Sequence, residues 1–327
     1  VYKRQPEENP PPEQALVIPE TVSRRLKDLI EFFRCPSRAF YRQRLDTFFQ
    51  DAPSGSTDNE TFVLNGLDQY GLLNAILEAG TENTQHPHVI AQKIAAQLRS
   101  GHYAFGILGQ RQAETLRSSA APILSVWQTL MQSWQPEHQR HALCHEAGHV
   151  LLDDWLPPLY LDADQHRAFL QCRASRLLHD KNQIQADKMA DIWIQQLLAA
   201  DLGIASRAIV LGKDAVIHST QPCENASDTL NDLLDFWGEG LLQPLPVTLK
   251  TAVAALHNAN PAVIYEGNQH SDGEVQRYPG LARDYPDFAR LSSQRCGSRQ
   301  WGFQEYAEAL YRPFADWLEK LEVEPHA

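Results

Sequence analysis

The sequence has few cysteines, and none of them stands in a paired motif. The five cysteines, Cys35, Cys144, Cys172, Cys223 and Cys296, are odd in number and never form a C-x-x-C pattern. This argues against a disulfide framework and a thiolate zinc site, and it favours a reducing cytoplasm. Long apolar runs are absent as well, and the first residues do not resemble a signal peptide, so we expect no contact with a membrane.

Positive charge is also scarce. The chain has 29 Lys and Arg residues against 41 Asp and Glu residues, a net charge of −12, which opposes tight nucleic-acid binding by the isolated chain. Residues 24–45 depart from this balance, with seven basic side chains and two acidic ones. Our candidates for contact with DNA phosphates or a partner protein come from this segment: Arg34, Arg38, Arg42 and Arg44. A solvated helix face explains the same pattern equally well.

The order of the periodic segments predicts an α/β protein with a small sheet. Residues 1–20 are polar and Pro-rich, which predicts a linker from the preceding region of a longer chain. The segment 60–135 is mostly helical in pattern, 138–220 contains the expected strands, and 227–327 is again helical. Within the middle segment, an amphipathic helix is expected over 182–203, with Gly203 as its cap, and a hairpin over 207–219.

The stretch "CHEAGHVLL" contains the His-Glu-x-x-His spacing of a zinc protease. A helix would place His145 and His149 on one face, with Glu146 as the general base. No glutamate follows before Glu224, so the third ligand would have to be Asp180, Asp187 or Asp191. The alternative is a hairpin that turns at Gly148. We favour the hairpin and predict no cofactor, and a zinc metallopeptidase remains the alternative.

The segment "LKDLIEFFRCPSRAFYRQRL" (26–45) carries a family resemblance. It is similar to the opening motif of the nuclease-type domains in bacterial helicase-nuclease subunits, with Leu29, Phe32 or Phe33, Pro36, Phe40 and Leu45 at the matching positions. Three later stretches, 149–160, 172–199 and 303–319, point to one family. The chain resembles the C-terminal domain of RecC, the gamma subunit family of exodeoxyribonuclease V.

This resemblance implies a PD-(D/E)XK nuclease-like fold over residues 21–327. That fold is a small mixed sheet flanked by helices, here with a helical insertion at 60–135. An active member holds Mg²⁺ with an Asp on one strand and Asp/Glu-x-Lys on the next. Laid on this chain, Asp153 or Asp154 takes the first position, and Gln171 and Arg173 take the other two. An amide is a poor ligand for Mg²⁺ and Arg stays protonated, so we expect a lost active site. A residual Mg²⁺-dependent nuclease is a further alternative.

The resemblance also implies a role without catalysis. Members of the family scaffold a heterotrimer with RecB-like and RecD-like subunits, which processes a double-stranded DNA end in break repair. The lack of a phosphate-binding loop agrees with a subunit that is not a motor. We therefore expect a cytoplasmic, non-enzymatic domain that docks a partner helicase subunit and borders the site of strand separation.

Overall fold

A computed structural model describes most of the chain. The described residues are 21–47, 64–82, 88–101, 103–147, 149–179, 182–220, 225–261, 267–268, 278–279 and 299–325. The predicted linker 1–20 and the predicted turn residue Gly148 lie outside these ranges, as does Asp180.

Groups of helices and groups of strands follow one another along the described ranges. The helices are α1 Leu26–Arg34, α2 Pro36–Ala39, α3 Gly66–Glu82, α4 His88–Arg99, α5 Ile107–Leu130, α6 Ala190–Asp201, α7 Ala226–Leu242, α8 Leu249–Leu256 and α9 Phe303–Leu318. A π-helical turn, Phe40–Arg44, follows α2, and a 3-10 turn, Ala186–Lys188, precedes α6. The strands are β1 Val22–Arg24, β2 Gln135–Pro136, β3 Ala142–Ala147, β4 Val150–Trp155, β5 Tyr160–Leu161, β6 Arg167–Cys172, β7 Ser206–Leu211, β8 Ala215–Ser219, β9 Gly267–Asn268, β10 Tyr278–Pro279 and β11 Glu322–Pro325.

The strands form small mixed sheets, in agreement with the predicted α/β class. One sheet has the order β1-β4-β3 and another the order β11-β8-β7-β6-β5-β2, and β9 pairs with β10. The chain packs as two compact units with interleaved segments. The first unit draws on residues 1–49, 142–155 and 228–315, and the second on 50–141, 156–227 and 316–327.

The first unit contains the three-stranded sheet and the apolar face of α1. The spacing of Leu26, Leu29, Ile30 and Phe33 predicts a helix that starts at Ser23 and is broken by Pro36. The structure forms this helix over Leu26–Arg34, where Leu26, Leu29, Phe32 and Phe33 are buried. The ring of Phe33 packs on Tyr311 and Phe314 of α9, with ring centroids 4.9 and 5.4 Å apart. The Tyr311 hydroxyl donates to the Phe33 carbonyl at 2.8 Å. The aromatic residues of the family motif therefore form core contacts.

The second unit combines the six-stranded sheet with helices α3 to α6. Strands β6 and β7 are parallel neighbours, and α6 connects them. The helix predicted over 182–203 is shorter in the structure and begins at Ala190, but Gly203 has the expected positive φ of 74°. The hairpin predicted over 207–219 is confirmed as the antiparallel pair β7 and β8. Helices α3 to α5 pack on the sheet through a shared apolar core.

Two features of the chain were not predicted. Strand β11 pairs antiparallel with β8 at the edge of the six-stranded sheet, although its sequence Glu-Val-Glu-Pro is acidic and ends in proline. Strand β1 occupies residues where a helix start was expected, and it pairs in parallel with β4. None of the helices in the described ranges is long and apolar enough to cross a membrane.

Candidate functional site

Strand β6 and helix α6 bring the two expected nuclease positions into one polar network. The Gln171 amide donates to Gln195 Oε1 at 3.0 Å, and the Arg173 guanidinium donates to Gln171 Oε1 at 2.8 Å. Nη2 of Arg173 also lies 2.7 Å from both carboxylate oxygens of Asp191. The four side chains, Gln171, Arg173, Asp191 and Gln195, are called the β6–α6 network below.

The β6–α6 network extends into further bonds between α6 and the sheet. Gln196 is buried, and its amide donates to the Ser206 carbonyl of β7 at 3.0 Å. Its carbonyl oxygen accepts from the Ser219 hydroxyl of β8 at 3.1 Å. Adjacent glutamines of one helix turn therefore bond to three different strands. Such satisfied polar contacts fix the position of a helix on a sheet, because an unpaired buried amide is costly.

The chemistry available at the β6–α6 network differs from that of a Mg²⁺ nuclease. A hard dication prefers carboxylate and water oxygens, whereas the amide oxygen of Gln171 already accepts a hydrogen bond from Arg173. Arg173 faces the carboxylate of Asp191, and a guanidinium is not deprotonated in proteins, so it does not serve as a base. The neighbouring thiol is also inert, because burial raises the pKa of Cys172 to about 12.

The two strands that were expected to carry the nuclease positions belong to different sheets. Asp153 and Asp154 lie on β4, whose partners are β1 and β3, whereas Gln171 lies on β6, whose partners are β5 and β7. The expectation that β4 and β6 are neighbouring strands is therefore wrong. The physical reason is local. Pro157 and Pro158 follow one residue after the end of β4, and they stop the pairing with β3 because proline has no N–H to donate. The chain then enters β5 in the other sheet.

Asp154 has a structural role within the first unit. One of its carboxylate oxygens accepts from the backbone N–H of Leu26 at 3.0 Å. Leu26 is the first residue of α1, where an N–H has no partner inside the helix. Asp153 is exposed, in contrast to the half-buried Asp154. The half-buried aspartate of β4 therefore caps the start of α1.

The His-Glu-x-x-His stretch lies on a hairpin, which confirms the predicted alternative to a zinc-binding helix. His145 pairs with Leu152 and Glu146 with Leu151 across β3 and β4, and His149 stands in the turn. His145 therefore lies on a strand and His149 in the turn, so no helical face brings the two histidines together as zinc ligands. Of the proposed third ligands, Asp191 belongs to the β6–α6 network and Asp187 lies 3.5 Å from Lys188.

The four candidate arginines occupy consecutive short elements. Arg34 ends α1 and is exposed, Arg38 lies in α2, and Arg42 and Arg44 lie in the π-helical turn. The last three are half-buried, and Arg42 lies 3.8 Å from Glu31. The segment is therefore not a uniform solvated face, and contact with DNA phosphates or a partner protein stays a prediction.

Sequence reasoning overlooked one group of possible metal ligands. Among the described residues, Asp162, Asp164 and His166 place their ligand atoms within 4.8 Å of one another. Asp162 accepts from the backbone N–H groups of Asp164 and His166 at 2.9 and 2.8 Å, and from the His166 ring. Desolvation acts to raise the Asp162 pKa, but these hydrogen bonds outweigh it and lower the pKa. The spacing Asp-x-Asp-x-His was the available signal, and here it builds the turn between β5 and β6.

The sheets and helices define a mixed α/β protein in which the side chains of the β6–α6 network bond to one another. The chain belongs to the RecC C-terminal domain family, whose match covers residues 20–260. This confirms the resemblance drawn from the sequence, although the stretch 303–319 lies beyond the matched range. RecBCD enzyme subunit RecC of Escherichia coli (strain K12) is 26% identical over 243 residues, which span 70% of this chain and 19% of that protein.

Proposed function

We propose that this chain is a non-catalytic, nuclease-like scaffold domain in a helicase-nuclease complex that repairs DNA double-strand breaks. Membership of the RecC C-terminal domain family supports the placement in a complex of the RecBCD kind. The partners would be a RecB-like and a RecD-like subunit, together with the double-stranded DNA end and its separated strands. The domain would dock the helicase subunit and border the site of strand separation.

The β6–α6 network is the observation that supports a domain without nuclease activity. Gln171 and Arg173 bond to each other and to Gln195 and Asp191 on the helix. A Mg²⁺ site would need free carboxylate oxygens in their place. The parallel β6–α6–β7 arrangement supports a PD-(D/E)XK ancestry. We propose one nuclease-like domain over 21–327, although its described residues pack as two compact units.

Assembly with the partner subunits tests the scaffold role. The polypeptide carrying this domain is co-expressed with the RecB-like and RecD-like subunits. The complex is purified through a tag on the RecD-like subunit. We expect stoichiometric recovery of all three chains. Recovery of the RecD-like subunit with the RecB-like subunit alone, and without this polypeptide, would contradict the docking role.

A nuclease assay tests the loss of the active site. The chain is incubated alone with linear double-stranded and single-stranded DNA, in Mg²⁺ and then in Mn²⁺, and released nucleotides are measured. We expect no release above a metal-free control, because the Gln171 and Arg173 positions lack a carboxylate and a titratable base. The residual-nuclease alternative holds instead if metal-dependent release is found and Gln171→Ala or Asp154→Ala abolishes it.

A further inference from the structure

Large apolar side chains are exposed at one end of the helices α3 to α5. Eight large hydrophobic side chains are exposed among the described residues, and five of them come from this region. Phe105 is 89% exposed and Ile107 is 69% exposed. The five residues, called the apolar end below, are Leu67, Tyr70, Phe105, Ile107 and Leu108. Single exposed hydrophobic residues are ordinary, whereas a group of them marks an interaction surface.

Hydrogen bonds establish that the start of α3, the end of α4 and the start of α5 lie together. The Gln97 amide, near the end of α4, donates to the Leu72 carbonyl of α3 at 3.4 Å. Its Oε1 accepts from the Tyr103 hydroxyl, just before α5, at 3.0 Å. Tyr103 and Gln97 are both buried, so this link is internal. The exposed residues at the start of α3 and of α5 therefore belong to one end of the bundle.

The residue before Phe105 is held against α5. The Ala104 N–H donates to Gln112 Oε1 at 3.1 Å, and the Ala104 carbonyl packs so closely on Gly109 that a Cβ there would lie 1.9 Å from its oxygen. Gly106 has a φ of 70°, a conformation that favours glycine. Phe105 is thus presented to solvent by a fixed backbone. A fixed apolar anchor loses little entropy when it enters a partner's pocket.

Exposed positive charge borders the apolar end. Arg99 at the end of α4 and Arg111 near the start of α5 are both exposed. Neither forms an ion pair with a carboxylate in the described part of the chain, whereas Arg117 on the same helix pairs with Glu114 at 3.6 Å. Two exposed guanidinium groups beside an apolar surface complement a partner segment that carries both apolar and acidic side chains.

We propose that the apolar end docks an acidic segment of a partner subunit, with Phe105 as the anchor and Arg99 and Arg111 bonded to its carboxylates. This inference rests on the proposed scaffold function and assigns it a surface. Aliphatic side chains supply three of the five residues, Leu67, Ile107 and Leu108, which favours a protein over stacked nucleotide bases.

Affinity between the assembled subunits tests the surface. The polypeptide carrying this domain is prepared as wild type, as Phe105→Ala with Ile107→Ala, and as the control Leu202→Ala. Leu202 is 39% exposed, close to the 38% of Leu108, but it lies after α6, outside the apolar end. We expect the double variant to bind its partner subunits at least about tenfold more weakly, and the control to bind like wild type. Thermal unfolding of each variant confirms that it is folded.

A charge variant supplies a second readout. Arg99→Gln with Arg111→Gln is expected to weaken the same binding and to flatten its dependence on salt, because rim charges act through screened attraction. If both variants assemble normally, the apolar end is not the docking surface, and the scaffold role is unaffected. If the wild-type polypeptide does not assemble, the scaffold role itself is rejected. The proposal is also overturned if Phe105→Ala with Ile107→Ala abolishes self-association or single-stranded DNA binding but leaves the affinity for the partner subunits unchanged.

Discussion

Arginine at position 173 illustrates how one side chain changes what a site can do. Lysine presents a single ammonium whose pKa shifts readily on burial, whereas the guanidinium is planar and stays charged. In this chain Arg173, the residue directly after β6, lies between Gln171 of that strand and Asp191 of α6, and its side chain is 13% exposed. Arg173 therefore links the end of β6 to α6 through a charged hydrogen bond.

We predict measurable coupling between Arg173 and Asp191. Arg173→Met should lower the free energy of unfolding by about 1.5–3 kcal/mol, because it leaves a partly buried carboxylate without its charged donor. A double-mutant cycle with Asp191→Asn, measured by urea unfolding, should give a coupling energy of about 0.5–3 kcal/mol.

Arg176→Met serves as the matched control for that cycle. Arg176 pairs with Asp214 at 3.2 Å, but its side chain is 61% exposed, so the change should cost less than about 1 kcal/mol. Equal losses for the Arg173 and Arg176 variants would mean that the β6–α6 network adds nothing beyond a surface ion pair.

At the scale of elements, the hairpin of β3 and β4 holds the start of α1. Asp154 on β4 accepts from the Leu26 N–H, and β1 pairs alongside β4 just before that helix begins. Sequence reasoning placed either Asp153 or Asp154 at the first position of a lost nuclease site. The structure instead distinguishes them, because strand alternation gives neighbouring residues opposite faces.

We predict that the two aspartates differ in their effect on stability. Asp154→Ala should lower the free energy of unfolding by about 0.5–2 kcal/mol, the usual cost of removing a side-chain cap from a helix. Asp153→Ala, one residue away and exposed, should leave it nearly unchanged. Circular dichroism during urea unfolding measures both variants, and the reverse order of effects would reject the capping role.

Helix α6 shows how packing modifies a local pattern. The sequence pattern predicts a face formed by Met189, Ile192, Trp193 and Leu197, and these residues are buried as expected. Gln195 and Gln196 are buried as well, which amphipathic periodicity does not indicate. Their amides bond to the strands, so the helix lies against polar partners on a second side.

For the whole molecule, ion pairs of the second unit determine part of the response to acid. Arg167 donates to both carboxylate oxygens of Glu137, at 3.0 and 3.2 Å through Nε. The hydrogen bond from Arg167 is the largest cause that lowers the Glu137 pKa, and it outweighs the opposing effect of burial. A carboxyl pKa that is lowered on folding contributes stability above its unfolded value, and this contribution is lost as the pH falls through the folded pKa.

We predict that Glu137→Gln lowers the stability at neutral pH and flattens its decline below the ordinary Glu pKa of 4.5. The loss at pH 7 should be about 1.5–3 kcal/mol, as for hydrogen bonds to charged groups. Urea unfolding at a series of pH values between neutral and acidic measures both effects.

Glu308→Gln is the matched control for the acid response. Arg312 also lowers the Glu308 pKa, but that pair lies on the surface of α9, so its effect should be much smaller. An acid response of Glu137→Gln identical to that of wild type would show that another group governs it.

Much of this protein is determined by patterns within short stretches of the sequence. Hydrophobic periodicity and turn chemistry predicted the helix at 26–34, the hairpin of β7 and β8, the hairpin under the His-Glu-x-x-His stretch and the Gly203 cap. The order of several motifs predicted the RecC C-terminal domain family. These features follow from residues a few positions apart, whose effects on the backbone are local.

The tertiary structure alone decided which segments meet. It placed β4 and β6 in different sheets, paired β11 with β8, and brought Arg173 to Asp191, eighteen residues further along the chain. It also gathered exposed side chains from α3 and α5 at one end of the helices. Such contacts depend on how whole elements pack, which no local pattern encodes, because the free energy that selects a partner strand comes from burial across the entire sheet.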